Sequence, residues 1–193
     1  MKYQPHDFHF RRAKSEGYLA RSVYKLQAID QKYRLFHRGM KVVDLGAAPG
    51  SWTQYLLEKV GPEGFILAVD LQTIRLSRPN LQTIQMDVWS PELESLLQEK
   101  LWDAVISDMA PSTTGSRPTD QSRSALLVER SLFLAQRFTR RGGFWIAKLL
   151  EGPELQRLRQ AAQQTFETVH IVRPPATRKG STECFLLGLK KRL

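Results

Sequence analysis

The 193-residue chain has one cysteine, Cys184, so it forms no intrachain disulfide and no thiolate metal cluster. Its four histidines are dispersed: His6 and His9 in a basic opening segment, His37 near a predicted helix end, His170 in a predicted strand. That scatter gives no metal-ligand spacing. No apolar run approaches the ~20 residues of a membrane helix, and the opening Met-Lys-Tyr-Gln-Pro-His-Asp is polar, unlike an apolar signal segment. A cytoplasmic protein with no membrane partner is expected. Neither G-x-G-x-x-G nor G-x-x-x-x-G-K-[ST] occurs, which disfavours a loop that cradles pyrophosphate and with it a nicotinamide oxidoreductase. Ser112, Ser116 and Ser122 have no histidine at useful spacing, so a hydrolase triad is unsupported.

Acidic charge is also scarce, and only in places. The net charge is +10. Residues 1–41 carry ten Lys or Arg against three Asp or Glu, and residues 173–193 carry six against one. The middle of the chain, 42–172, holds thirteen basic and fifteen acidic residues and is nearly neutral. Positive charge is thus concentrated on two terminal segments, with Tyr3, Phe8, Phe10 and Tyr18 interleaved among the first. A solvated charged face would need no such concentration; a footprint for the phosphates of a nucleic acid does.

With 41 % hydrophobic and 25 % charged residues, the rest of the chain is of ordinary globular composition. Residues 1–17 read as a basic N-terminal arm, draped over the body or poorly ordered, and 18–193 as a single domain. From about Tyr18, Leu19, Val23, Leu26, Ile29, Tyr33 and Phe36 recur at helical spacing, with Lys25 at the edge of that stripe and Gly39 at the end. Strands are then expected at Lys41–Leu45, Phe65–Val69, Leu81–Met86, Trp102–Ser107 and Gly143–Lys148. Helices are expected at Ser51–Val60, Pro91–Lys100, Ser122–Arg140 and Glu151–Phe166, with final strands at Thr168–Val172 and Cys184–Leu189. Strand–helix alternation predicts an α/β fold, a mostly parallel sheet with helices on both faces. Only Arg173–Glu183, with Pro174, Pro175 and Gly180, joins the last two strands. A parallel crossover needs a dozen or more residues and usually a helix, so the last strand should return antiparallel at the end of the sheet. Ala110–Gln121, rich in Ser, Thr, Gly and Pro, is read as a functional loop.

The motifs fall at the carboxyl ends of these strands, where ligands bind in open α/β sheets. Asp44-Leu45-Gly46-Ala47-Ala48-Pro49-Gly50 runs from a strand into a glycine turn before a helix. Its two glycines suit a cofactor that approaches the backbone without a phosphate; a tight structural turn is the plain alternative. Asp70, Asp87 and Asp108 end the next three strands. Asp70 is placed to accept hydrogen bonds from a ribose diol. Three carboxylates in register suit a cationic ligand such as S-adenosylmethionine, with magnesium as the rival. Lys148 closes an apolar strand, where a lysine either snorkels to solvent or is held half-buried as a base.

Val43-Asp44-Leu45-Gly46-Ala47-Ala48-Pro49-Gly50-Ser51-Trp52 and Ser107-Asp108-Met109-Ala110-Pro111 closely resemble the FtsJ/RlmE family of bacterial ribosomal RNA ribose 2′-O-methyltransferases. The resemblance extends to Glu16–Leu26 near the start and Arg178–Glu183 near the end. It implies a Rossmann-like class I methyltransferase fold, a seven-stranded, mostly parallel sheet with an antiparallel last strand. It also implies a catalytic set of Lys25, Asp108, Lys148 and Glu183. S-adenosylmethionine contacts fall on Gly50, Trp52, Asp70, Asp87 and Asp108, with Gly46 in the same turn. The implied substrate is a uridine ribose in large-subunit ribosomal RNA, usually on the assembled subunit, and the protein is expected to act as a monomer. Ser51 stands where many relatives have glycine, and the Ser112–Gln121 loop differs in detail. Methylation of transfer RNA or a messenger cap, and an RNA-binding assembly factor without catalysis, are the alternatives.

Overall fold

The computed structural model describes residues 8–177 and 180–192. Tyr3 and His6 of the arm, and Arg178 and Lys179 of the C-terminal segment, lie outside the described residues. A seven-stranded sheet is built from β1 (Lys41–Leu45), β2 (Phe65–Asp70), β3 (Leu81–Gln85), β4 (Trp102–Ser107), β5 (Thr139–Leu150), β6 (Phe166–Val172) and β7 (Glu183–Lys191). Their order is β3-β2-β1-β4-β5-β7-β6. Strands β1 to β5 pair in parallel, and β7 is antiparallel to both β5 and β6. The last strand therefore returns antiparallel, as its short connection requires, but it inserts between β5 and β6 instead of ending the sheet.

Alternation along the strands decides which side each residue faces. Val43 and Leu45 of β1, Val105 of β4, Trp145, Ala147 and Leu149 of β5, and Leu186 of β7 join one core. It is closed by α4 (Pro91–Gln98), α5 (Arg117–Phe138) and α6 (Leu155–Thr165). The intervening residues, Val42, Ala104, Ile106, Phe144, Ile146, Phe185 and Leu187, join a second core under α1 (Phe8–Ser15), α2 (Val23–Tyr33) and α3 (Ser51–Val60). Followed outward, this second set of rows reaches Asp44, Lys148 and Glu183, which by parity point to the α2 side.

Several boundaries differ from expectation for local reasons. Residues 8–15 of the expected arm form α1, held by buried Ala13, by Arg12 over the Tyr24 ring and by Tyr24 donating to Glu16. Helix α2 begins at Val23 because Gly17 takes a positive φ and the Leu19 N–H is bound by the Gln54 side chain. It stops at Tyr33 because the buried Asp30 carboxylate accepts from the N–H groups of Leu35 and Phe36. Helix α5 starts five residues earlier than the apolar periodicity suggests: its first turn is polar, and Asp120 accepts from the Thr114 N–H and hydroxyl. Helix α6 starts late, after Gly152-Pro153, because Glu151 is engaged by Thr182 and Arg173. Among the described residues, no helix is long and apolar enough to cross a membrane.

Candidate active site

A cavity of about 730 Å³ opens at the carboxyl ends of β1, β2, β3 and β4. Gly46, Ala48, Asp70, Asp87 and Asp108 line it, with Met86, Val88, Trp89, Met109 and Leu127 as its apolar wall. The turn after β1 is folded by the strand beside it: the N–H groups of Gly46 and Ala47 both donate to the Val69 carbonyl. Gly46 has φ +72°, and a Cβ there would lie 2.7 Å from Met109 Cγ and 2.8 Å from Met109 Cα and N. Only glycine lets the turn lie against the segment that follows Asp108.

The Asp70 carboxylate accepts from the Ala48 N–H at 2.9 Å and the Gln72 N–H at 2.8 Å. Each bond uses one oxygen, so each oxygen keeps a lone pair for a ligand. Asp87 accepts from the Trp89 N–H at 3.1 Å, which fixes the backbone of the cavity wall. Asp70, Asp87 and Asp108 thus share one rim, as their strand-end positions predict. Gly50 and Trp52 do not line this cavity. Gly50 packs toward Leu76 and Leu19, and the Trp52 ring is buried with its Nε1 donating to the Ser22 carbonyl. At the second position of α3, Trp52 has a backbone N–H with no carbonyl one turn earlier in the helix. Its indole N–H is used inside the protein, toward α2. Among the described residues, no group of three His, Cys, Asp or Glu side chains is arranged to hold a metal ion.

Beside the cavity stand two lysine–carboxylate pairs. Lys148 Nζ lies 3.0 Å from Asp108 Oδ1 and also donates to the Asp108 backbone carbonyl. Asp108 is held in turn by its N–H donating to Leu45 O. Lys25 Nζ reaches both oxygens of Glu183, at 2.6 and 2.9 Å. All four side chains are largely buried. The register explains their convergence: Glu183 pairs with Leu150, two residues beyond Lys148. The two backbones are therefore offset by about 7 Å along the sheet. Both point to the face covered by α2, and α2 supplies Lys25.

Asp44, the first residue of the Asp44–Gly50 motif, lies behind the cavity and not on its wall. It is fully buried, with Oδ2 accepting from Thr53 Oγ1 at 2.7 Å and Oδ1 without a hydrogen-bond partner. Burial pushes its carboxyl up to about 7; the Thr53 hydroxyl opposes that rise, and the neighbouring charges of Asp108 and Asp70 add to it. An acidic residue closing an otherwise apolar strand is the sequence signal. The apolar wall had none, because its residues come from three separate segments, the loops after β3 and β4 and helix α5.

Comparison with known proteins agrees with this architecture. Residues 18–191 match the FtsJ-like methyltransferase family. The chain is 44 % identical over 196 residues to the ribosomal RNA large subunit methyltransferase E of Bdellovibrio bacteriovorus, covering both chains in full. It is 45 % identical over 195 residues to the protein of the same name from Syntrophobacter fumaroxidans, covering 100 % of this chain and 99 % of that one. A crystal structure of a candidate ribosomal RNA methyltransferase from Plasmodium falciparum superposes with TM-score 0.79 at 25 % identity, over 90 % of this chain and 98 % of that one. A candidate hemolysin from Lactococcus lactis superposes with TM-score 0.65 at 16 % identity, over 90 % and 88 % of the two chains, a likeness of fold alone.

Proposed function

The chain belongs to the FtsJ-like methyltransferase family, and on that premise we propose that it methylates the 2′-hydroxyl of a uridine ribose in large-subunit ribosomal RNA, with S-adenosylmethionine as donor. The observation that carries this reading is the pair of lysine–carboxylate contacts beside a carboxylate-rimmed cavity. The cavity fits the donor. The Gly46 turn admits a close backbone approach, Asp70 has lone pairs for a ribose diol, and the carboxylates of Asp108 and Asp87 suit a cationic molecule. When bound, S-adenosylmethionine supplies an electrophilic methyl on a sulfonium that leaves as a neutral thioether.

The chain's own residues then have to align a hydroxyl and remove its proton. Lys148 Nζ donates one hydrogen bond to the Asp108 carbonyl and is ion-paired with Oδ1 at 3.0 Å. With its direction fixed by that contact, Nζ in its neutral form accepts the proton of the 2′-hydroxyl as the oxygen attacks. Asp108 orients that amine. Lys25, hydrogen-bonded to Glu183 Oε2 and ion-paired with Oε1, positions the hydroxyl, and Glu183 keeps the pair neutral in a largely buried site. Much of the acceleration is assigned to alignment, because the leaving group is already good.

Binding of RNA is assigned to the two basic terminal segments. Lys25 belongs to the first of these segments and Glu183 to the second, and their contact brings both to the same edge. Action as a monomer on the assembled subunit, in the cytoplasm, completes the proposal. The test supplies labelled S-adenosylmethionine with either unmodified large subunits or protein-free ribosomal RNA, and maps the label. A 2′-O-methyluridine formed on the subunit is expected. Label confined to protein-free RNA would move the substrate, and no label on either would remove the function.

A further inference from the structure

The Trp52 indole turns away from the cavity and toward the elements that carry three of the four candidate catalytic residues. We propose that it is a positioning residue that locks α2 and β7 to the turn holding the cofactor. The proposal rests on the methyl-transfer reading above. Three contacts carry it.

First, Trp52 Nε1 donates to the Ser22 carbonyl at 2.9 Å, and the Lys25 N–H donates to the same carbonyl at 3.0 Å. Both acceptor sites of one oxygen are thereby used, one from the cofactor turn's helix and one from the residue bearing the Lys25 ammonium. Second, the Ser22 and Ser51 hydroxyls lie 2.9 Å apart, which ties the two segments again, one residue before the indole. Third, the Trp52 ring lies on the Phe185 ring with centroids 5.8 Å apart and planes at 32°. Phe185 is the cross-strand partner of Lys148 and stands two residues from Glu183 on the same face of β7. One side chain therefore contacts the support of Lys25 at its N–H and the support of Lys148 and Glu183 at its ring.

Space filling alone would require only the ring. A positioning role requires the N–H as well, and the two parts can be separated. Trp52→Phe keeps an aromatic ring against Phe185 and deletes the donor. The expected result is a fall in kcat of about tenfold, 1.4 kcal/mol. The cofactor Kd, measured by calorimetry without RNA, should stay within about twofold, since 1.4 kcal/mol would be tenfold. Hydrogen exchange at the Lys25 amide should quicken, because its acceptor has lost the second donor that fixed it. Unchanged kcat with unchanged Lys25 exchange would overturn the proposal. So would weakened cofactor binding at normal kcat, which would make Trp52 a direct cofactor contact.

If Trp52→Phe does not fold, Phe185→Leu loosens the same stack from the other side and leaves the indole N–H in place. It should lower kcat while Lys25 exchange stays as in the wild type, and a normal kcat would overturn the role of the ring. Failure of the wild type to methylate RNA would remove the parent reading, whereas the exchange comparison would still decide whether Trp52 holds α2.

Discussion

Replacing Asp44 with Asn should make the protein more stable at high pH and leave it nearly unchanged at low pH. The folded carboxyl titrates at about 7, because burial disfavours its charge and Asp108 and Asp70 add repulsion. The unfolded carboxyl titrates at about 3.9. Between those values the native state holds a proton that the unfolded state has released, so stability falls as pH rises from about 4 to about 7 and then levels off. Three pH units at 1.36 kcal/mol each give roughly 4 kcal/mol over the whole window. From pH 5 to pH 9, about two of those units remain, or roughly 3 kcal/mol. Asn has nearly the shape of the protonated acid, and its carbonyl can accept from Thr53 Oγ1 as Oδ2 does now. A fixed offset from packing would appear at both pH values and cancel. The assay is urea unfolding of both proteins at pH 5 and pH 9, comparing the variant's advantage at each. An advantage that does not grow with pH would refute the raised carboxyl. An advantage that shrinks with pH would show that Asp44 is charged and paired in the native state.

Lys148→Ala should abolish methyl transfer while calorimetry still detects cofactor binding; near-normal turnover would remove Lys148 as the base. Asp70→Ala should weaken cofactor affinity about 10- to 100-fold, the worth of hydrogen bonds to a charged group, with RNA affinity little changed. An unaltered cofactor Kd would count against Asp70 as the diol acceptor. Neutralising Arg11, Arg12 and Lys14 should weaken RNA binding and reduce its logarithmic salt slope by up to about 2, at ~0.7 for each phosphate no longer neutralised. The drop should fall short of that limit if Arg12 stays with Glu16 and the Tyr24 ring, where it lies in the free protein. An unchanged slope would mean that α1 does not touch phosphates.

Strands β1 and β4 were legible as short apolar runs and match their expected bounds, whereas β5 runs from Thr139 to Leu150, beyond the expected Gly143–Lys148, because its polar start Thr139-Arg140-Arg141 carries no apolar signal. The antiparallel return of β7 was legible from a connection too short for a crossover. Its insertion between β5 and β6 was not, since length restricts direction without naming a neighbour. Helix α1 was hidden because its only buried residue is Ala13, and the apolar period carries no signal when one small side chain makes the contact. Asp70, Asp87 and Asp108 were found by strand-end position, which the parallel order turns into a common rim. Lys148 and Glu183 sit at the ends of strands that pair only through tertiary contact, so their approach to Lys25 depends on a register no single segment encodes. Trp52 lies in the cofactor motif, but the way its side chain faces is fixed by Ser22 and Phe185, thirty residues before it and more than a hundred after it.

The charge distribution solves a problem that the composition alone leaves open, how a protein of net charge +10 offers a site to a cation. Inside the site each lysine is matched by a carboxylate, Lys25 by Glu183 and Lys148 by Asp108. Those four groups cancel, and what remains at the cavity rim is Asp70 and Asp87 against the one cation Arg123; neither aspartate has an ion-pair partner among the described residues. The cavity is therefore locally acidic while the basic excess stays on the terminal segments. At 0.1 M salt, fields between exposed charges fade over about 10 Å, so the two can act on different ligands without cancelling. A cationic donor is drawn by the rim, a polyanionic RNA by the segments that adjoin it. Where the two meet, the paired lysines add little net field of their own. Binding there costs neither ligand strong repulsion, which leaves geometry to decide which hydroxyl reacts.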